Sequence, residues 1–167
     1  MKKAWIRFAV LLILAVLFLS FALFAGVLAP FDPLESHYTD MLKAPNSTYI
    51  FGTDQLGRDL FSRILYGGKS SLLIAFTVTA IISSVGILVG TIAGFTGGIF
   101  DNLLMRFSDM LMAFPGYIFT IALVSFIGVG LPNMILAMSL TGWTYYARIS
   151  RSLVLSVKNN VNIEQAR

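Results

Sequence analysis

Cysteine is absent from the chain, which excludes disulfide cross-links, thiol nucleophiles and thiolate metal sites. Histidine occurs once, at His37, with no second ligand type at metal-site spacing, so a solvated loop residue is expected there. Charge is scarce as well: 12% of the 167 residues are Asp, Glu, Lys or Arg, against about 25% in soluble domains. No G-x-x-x-x-G-K-[ST] phosphate loop is present, and no Ser/His/Asp or Cys/His set is recognisable. The chain is therefore expected to be no enzyme and to hold no metal or cofactor of its own. If it moves a solute uphill, the energy comes from elsewhere.

What is present is apolar. Hydrophobic residues make up 57% of the chain and fall in long uncharged runs, the composition of a polytopic, all-α membrane bundle. A soluble core is possible on length alone, but the composition argues against it. The net charge of +4 does not indicate nucleic acid. The basic residues flank apolar runs instead of forming a patch with interleaved aromatics, which is a topology signal.

Residues Trp5–Ala29 form the first run, about 37 Å long as a helix and enough to cross a ~30 Å hydrocarbon core. Lys2 and Lys3 suggest a secretory signal as the rival reading. Signal cores span only about 7–15 residues, however, so a retained anchor is expected. A second span is expected at Ser71–Phe95. The stretch Met110–Ala147 is too long for one straight crossing and is punctuated by Gly128-Val129-Gly130-Leu131-Pro132-Asn133. It splits into a helix near Leu103–Ile127 and another near Leu131–Ala147, which continues as a helix past the membrane. Four spans result.

With the N-terminus inside, cytoplasmic segments hold Lys2, Lys3, Arg7, Arg106, Arg148, Arg151, Lys158 and Arg167. The outer segments hold Lys43, Arg58, Arg63 and Lys69, offset by five carboxylates, as the positive-inside rule requires. The chain then divides into a cytoplasmic N-terminus with the first span (1–29), an extracytoplasmic segment (30–70), spans two to four (71–147), and a cytoplasmic helix (148–167).

Several motifs carry chemistry or packing. Gly86, Gly90 and Gly94 share one helical face and let another helix approach closely; this signals a bundle, with or without transport. Arg106 and Asp109, spaced i, i+3, can pair, or can each snorkel to the membrane surface. Pro115 is expected to kink the third span. Arg148 and Arg151 lie on the basic face of an amphipathic helix that breaks at Asn159-Asn160, and Asn162 caps a new helix with Gln165 as its third residue.

A quarter of the charged residues lie in FGTDQLGRDLFSRILYGGKSSL (51–72). A short interfacial helix is expected at Asp59–Tyr66, braced by an Asp59–Arg63 ion pair, with Gly67-Gly68 turning the chain into the second span. Self-paired charges favour a structural collar over a substrate-binding site.

This stretch, together with DNLLMRFSDMLMAFP (101–115), the Gly128/Gly130 loop and WTYYARISRSLVLSVK (143–158), resembles a known family. The resemblance is to the inner-membrane permease subunit of bacterial ATP-binding-cassette importers of the dipeptide, oligopeptide and nickel class. The resemblance covers nearly the whole chain. The family's outer motif falls on Gly52, Thr53, Asp54, Gly57, Arg58, Asp59, Ser62 and Arg63. Its ATPase-docking EAA loop begins at Asn162, Ile163, Glu164, Gln165, Ala166 and Arg167, with Gln165 where the family usually has alanine. The loop's glycine, its second helix and two further spans do not follow, so the resemblance implies a C-terminally truncated permease. It further implies a second homologous permease subunit, two cytoplasmic ATPases that bind the ATP and Mg, and an extracytoplasmic substrate-binding protein, besides membrane lipids. Arg106, Asp109, Pro115, Arg148 and Arg151 become candidates for gating or coupling. Di- or oligopeptides are the expected substrate, with nickel or a metal chelate as the alternative within the family. A small non-transporting scaffold is the alternative outside it. A channel is disfavoured, because no filter-like stretch lies within a span.

Overall fold

A computed structural model of the chain describes residues 2–158. Six α-helices account for most of them: α1 (Lys2–Leu23), α2 (Ala25–Leu28), α3 (Leu60–Thr96), α4 (Gly98–Met112), α5 (Gly116–Ile127) and α6 (Leu131–Lys158). One 3-10 turn, Tyr38–Asp40, lies in the segment between α2 and α3. No strand occurs among the described residues, apart from an isolated antiparallel bridge between Thr53 and Asp59. The chain is a polytopic helical membrane protein.

Two helices are long and apolar enough to cross a membrane, and up to three if α4 and α5 count as one bent span. α6 carries the fourth expected span in its first half but is not apolar enough alone among the described residues. The physical reason is that α6 is amphipathic, with buried Ala137, Thr144, Ala147 and Ser150 along one side. Such a helix is stable where a protein neighbour covers its polar side.

Two compact units divide within α3, between Leu73 and Ile74. In the first unit, the large side chains of α1 point outward, including Trp5, Leu11, Ile13 and Leu23, while Ala22 and Ala25 are buried. In water this would be a costly exposed patch; against lipid tails it is the stable arrangement. The small side chains are the ones facing α3. A side chain at Gly68 would start 3.9 Å from Ala22 Cβ, and one at Gly26 would start 3.7 Å from the Tyr66 hydroxyl.

α3 is a single 37-residue helix, about 55 Å long, which exceeds a ~30 Å hydrocarbon core. This corrects two expectations. The short helix expected at Asp59–Tyr66 is the first part of α3, and Gly67-Gly68 does not turn the chain. Neither glycine adopts positive φ, and the helix runs through both. Gly67 meets no neighbour that a side chain would touch. Its cost is a modest loss of helix propensity, which the flanking apolar sequence outweighs.

In the second unit the breaks fall where the backbone demands glycine or proline. Gly97, between α3 and α4, and Gly98, the first residue of α4, both take φ +64°, a region that only glycine visits freely. At Ala113–Pro115 the chain bends by 82° between α4 and α5. A kink was expected at Pro115; the observed bend is a full break. At the other end of α5, Gly128 has φ +98°, and the Asn133 amide donates to the carbonyls of Ile127 (3.1 Å) and Gly128 (2.9 Å). Those bonds satisfy helix-end carbonyls that would otherwise lack donors.

Candidate functional site

Two constellations hold the residues singled out from the sequence, one in each unit. The first is the loop ahead of α3. Gly52 (φ +75°) and Gly57 (φ +73°) take left-handed conformations, and a side chain on either would collide with backbone, Lys43 at Gly52 and His37 at Gly57. Thr53, next to Gly52, ties this loop back to the preceding segment through three hydrogen bonds. The Thr53 amide donates to Lys43 O (3.1 Å), the Lys43 amide donates to Thr53 Oγ1 (2.8 Å), and the Thr53 hydroxyl donates to Asp40 O.

Asp54 organises the turn. Its Oδ1 accepts the amides of Leu56 (2.8 Å) and Arg58 (3.0 Å), while Oδ2 accepts Arg58 Nε at 2.8 Å. Burial raises its pKa, but the Arg58 guanidinium and the two amides outweigh that and hold the carboxyl at about 2. Asp40 also lies below its usual value, through hydrogen bonds from Lys43 and from the Tyr49 hydroxyl (2.6 Å). The same bond raises the Tyr49 phenol.

Asp59, 2% exposed, is the N-cap of α3. Its Oδ2 accepts both the Ser62 amide (2.8 Å) and the Ser62 hydroxyl (2.7 Å), and Ser62 Oγ in turn accepts the Phe31 amide (3.2 Å). The expected Asp59–Arg63 ion pair does not form. A cap must turn its carboxylate onto the first-turn amides, so it cannot also reach outward to Arg63. The nearest carboxylate to Arg63 Nε is Asp54, at 3.6 Å.

The second constellation joins α3, α4 and α6. Gly86, Gly90 and Gly94 present bare backbone to α6. A side chain at Gly86 would meet Trp143, Tyr146 and Ala147, one at Gly90 the Ala147 backbone, and one at Gly94 Val154 and Arg151. Gly142 of α6 answers by admitting Ile82. Where the helices touch, Thr91 and Ser150 hydroxyls bond at 2.9 Å, and Ser150 also donates to Ile87 O at 3.2 Å. Close backbone contact with interhelical hydroxyl bonds is how helices associate without a hydrophobic drive.

On the α4 side, two ion pairs bind α6. Arg151 grips Asp101 with two prongs, Nε at 2.5 Å and Nη2 at 2.6 Å, and Asp101 is buried. Arg148 pairs with Asp109 at 2.5 Å, both more exposed. Of the two readings for Arg106 and Asp109, the pairing of one with the other does not form. Asp109 faces α6, and Arg106 is exposed with no ion pair among the described residues. Lys158 closes the far end by donating to Phe95 O at 3.0 Å. Pro115 stands at the α4–α5 break. The candidate ATPase-docking residues Asn162, Ile163, Glu164, Gln165, Ala166 and Arg167 lie outside the described residues. Sequence reasoning missed Asp101 as the Arg151 partner; fifty residues separate them, and no local periodicity links them.

Residues 86–167 match the family described as binding-protein-dependent transport system inner membrane component. Among curated relatives, the chain is 37% identical over 164 residues to an oligopeptide transport system permease protein of Bacillus subtilis, covering 95% of this chain and 54% of the relative. It is 36% identical over 158 residues to a nickel transport system permease protein of Escherichia coli, covering 95% and 57%. A probable D,D-dipeptide transport system permease protein of Escherichia coli is 35% identical over 155 residues, covering 93% and 52%. The chain thus spans about half the length of the curated relatives it matches.

Proposed function

We propose, since the chain belongs to the family of binding-protein-dependent transport inner membrane components, that it serves as a permease subunit of an ATP-driven importer. Its helices form part of the path for di- or oligopeptides. The observation that carries this reading is the likeness to peptide and nickel permeases across 93–95% of the chain. Nickel or a metal chelate is the second reading, favoured by a nickel permease as similar as the peptide ones.

In this reading the N-terminus is cytoplasmic, in a bacterial inner membrane, and the loop around Asp54 lies outside. A second, homologous permease completes the path, and an extracytoplasmic binding protein delivers the solute. ATP and Mg are bound by two partner ATPases, and Asn162–Arg167 contribute to docking them. The Asp101–Arg151 and Asp109–Arg148 pairs tie α4, and with it the α4–α5 break, to the helix leading into those docking residues. A pull on α6 is therefore transmitted to α4, as alternating access by moving helices requires.

The test is co-expression with the partner permease and ATPases of a peptide importer, followed by purification in detergent through a tag on this chain. Recovery of the ATPase in stoichiometric amount, lost on changing Glu164 and Arg167 to alanine, is the expected result. Stable protein without any ATPase would favour a non-transporting scaffold.

A further inference from the structure

Arg63 poses a question of charge accounting. The carboxylate nearest to it, Asp54, already accepts Arg58 and two backbone amides, and Arg63 Nε stands 3.6 Å away, beyond hydrogen-bond reach. Asp59 is turned inward onto Ser62. Of the other nearby carboxylates, Asp32 accepts the Leu34 amide at 2.8 Å and Glu35 faces His37 at 3.8 Å. The guanidinium therefore has a loose ion pair with a shared Asp54 carboxylate, while its five donors have no hydrogen-bonded acceptor among the described residues.

Arg63 borders a groove of about 310 Å³ lined by Pro33, Leu34, Arg63, Tyr66, Gly67 and Ser70. Arg63, Tyr66 and Ser70 recur at three- and four-residue spacing on one face of α3, so one helix face brings a guanidinium-bearing and two hydroxyl-bearing residues to the groove. Pro33 and Leu34, from the segment before α3, add apolar lining. Lys69 Nζ stands 5.9 Å from the ring centroid of Tyr66, one of the lining residues.

The level of the groove narrows the ligand. The uncharged run of α3 begins at Ser70, and the apolar run of α1 and α2 ends at Ala29, close before Asp32. Gly26 of α2 approaches the Tyr66 hydroxyl. The groove therefore lies at the polarity boundary of both helices, where phospholipid phosphates reside and where Arg and Tyr side chains are at home. The geometry points to a binding site for the headgroup phosphate of an anionic phospholipid, held by Arg63 and the Tyr66 and Ser70 hydroxyls, with Pro33 and Leu34 against the start of its apolar part. This assignment stands apart from the transport reading; neither fails with the other.

The experiment uses the full chain, delipidated in neutral detergent and titrated with phosphatidylglycerol, followed by native mass spectrometry. Phosphatidylglycerol is expected to bind one-to-one and phosphatidylcholine more weakly. Arg63→Gln should weaken phosphatidylglycerol binding about tenfold or more, the loss expected for a charge-assisted hydrogen bond. Arg7→Gln should leave it unchanged. Because Arg63 also neighbours the Asp54 turn, Ser70→Leu provides a second probe that fills the groove without touching that turn; it too should weaken binding about tenfold or more. Wild-type affinity in a folded Arg63→Gln or Ser70→Leu protein overturns the site. Full displacement of the lipid by inorganic phosphate overturns the lipid assignment and leaves a free-anion site.

Discussion

At the scale of residues, the charges of the loop before α3 are mostly spent on its own backbone. Asp54 satisfies two amides and Arg58, and its carboxyl, held at about 2, is deprotonated more easily in the fold than in the unfolded chain. The stability it supplies is therefore complete above about pH 4, the unfolded value, and is lost as pH falls through about 2. A shift of this size corresponds to about 2 kcal/mol. Asp54→Asn should lose roughly that amount at neutral pH. It should also flatten the acid side of the stability profile, read by thermal unfolding in detergent between pH 2 and 6; Asp40, lowered in the same direction, keeps a smaller step in place. Asp59 makes a different forecast. Asn is as good an N-cap as Asp, so Asp59→Asn should be nearly neutral, whereas Asp59→Ala should cost about 1–2 kcal/mol. Equal losses from the two changes would show that the charge matters and the cap does not. The turn glycines and the cluster of charge in 51–72 were legible in the sequence. The partner of Arg63 was not, because an i, i+4 rule assumes both residues lie on exposed helix surface, and Asp59 is the buried cap instead.

At the scale of elements, the glycines of α3 divide by what they meet. Gly90 faces the Ala147 backbone and Gly86 faces Trp143 and Tyr146, while Gly67 has open space around it. Gly90→Ala should push α6 away and cost about 1–3 kcal/mol, the range for overpacking a tight interface. Gly67→Ala should stabilise the helix by roughly 0.5–1 kcal/mol, the propensity difference between the two residues. Melting temperatures of the two variants in one detergent check both signs; a Gly90→Ala protein as stable as wild type would remove the α3–α6 contact as the reason for the glycine repeat. The repeat itself was visible from spacing, but spacing names a face and not its occupant. Pro115 was legible as a disturbance of the third span. The 82° extent of the bend was not; α4, on one side of it, is held to α6 by ion pairs between distant segments.

At the scale of the molecule, buried charge and absent cysteine lead to the remaining forecasts. Asp101 is buried and doubly gripped by Arg151. Arg151→Gln strands a carboxylate and should cost roughly 3 kcal/mol, whereas Arg148→Gln, from a more exposed pair, should cost less than about 1 kcal/mol. A double-mutant cycle between Asp101→Asn and Arg151→Gln should return a coupling of at least about 1 kcal/mol; additive losses would show that the two residues act separately. The natural lack of cysteine makes single-cysteine labelling direct. In intact spheroplasts, a membrane-impermeant maleimide should label Asn46→Cys and leave Arg7→Cys unlabelled; the reverse pattern would invert the topology.

The sequence alone determined that this is a helical membrane protein, where its apolar runs lie, and which glycines and prolines punctuate them. These are local properties: hydropathy, backbone freedom and the missing amide of proline act within a few residues of themselves. Tertiary structure decided that α3 runs unbroken through Gly67-Gly68, that Asp109 turns to Arg148 and Asp101 to Arg151, and that Asp59 closes a helix end and leaves Arg63 facing a groove. Each of these outcomes is a choice among competing partners for one polar group. That choice depends on which neighbour the fold brings within about 3 Å, a distance that separation along the chain does not report.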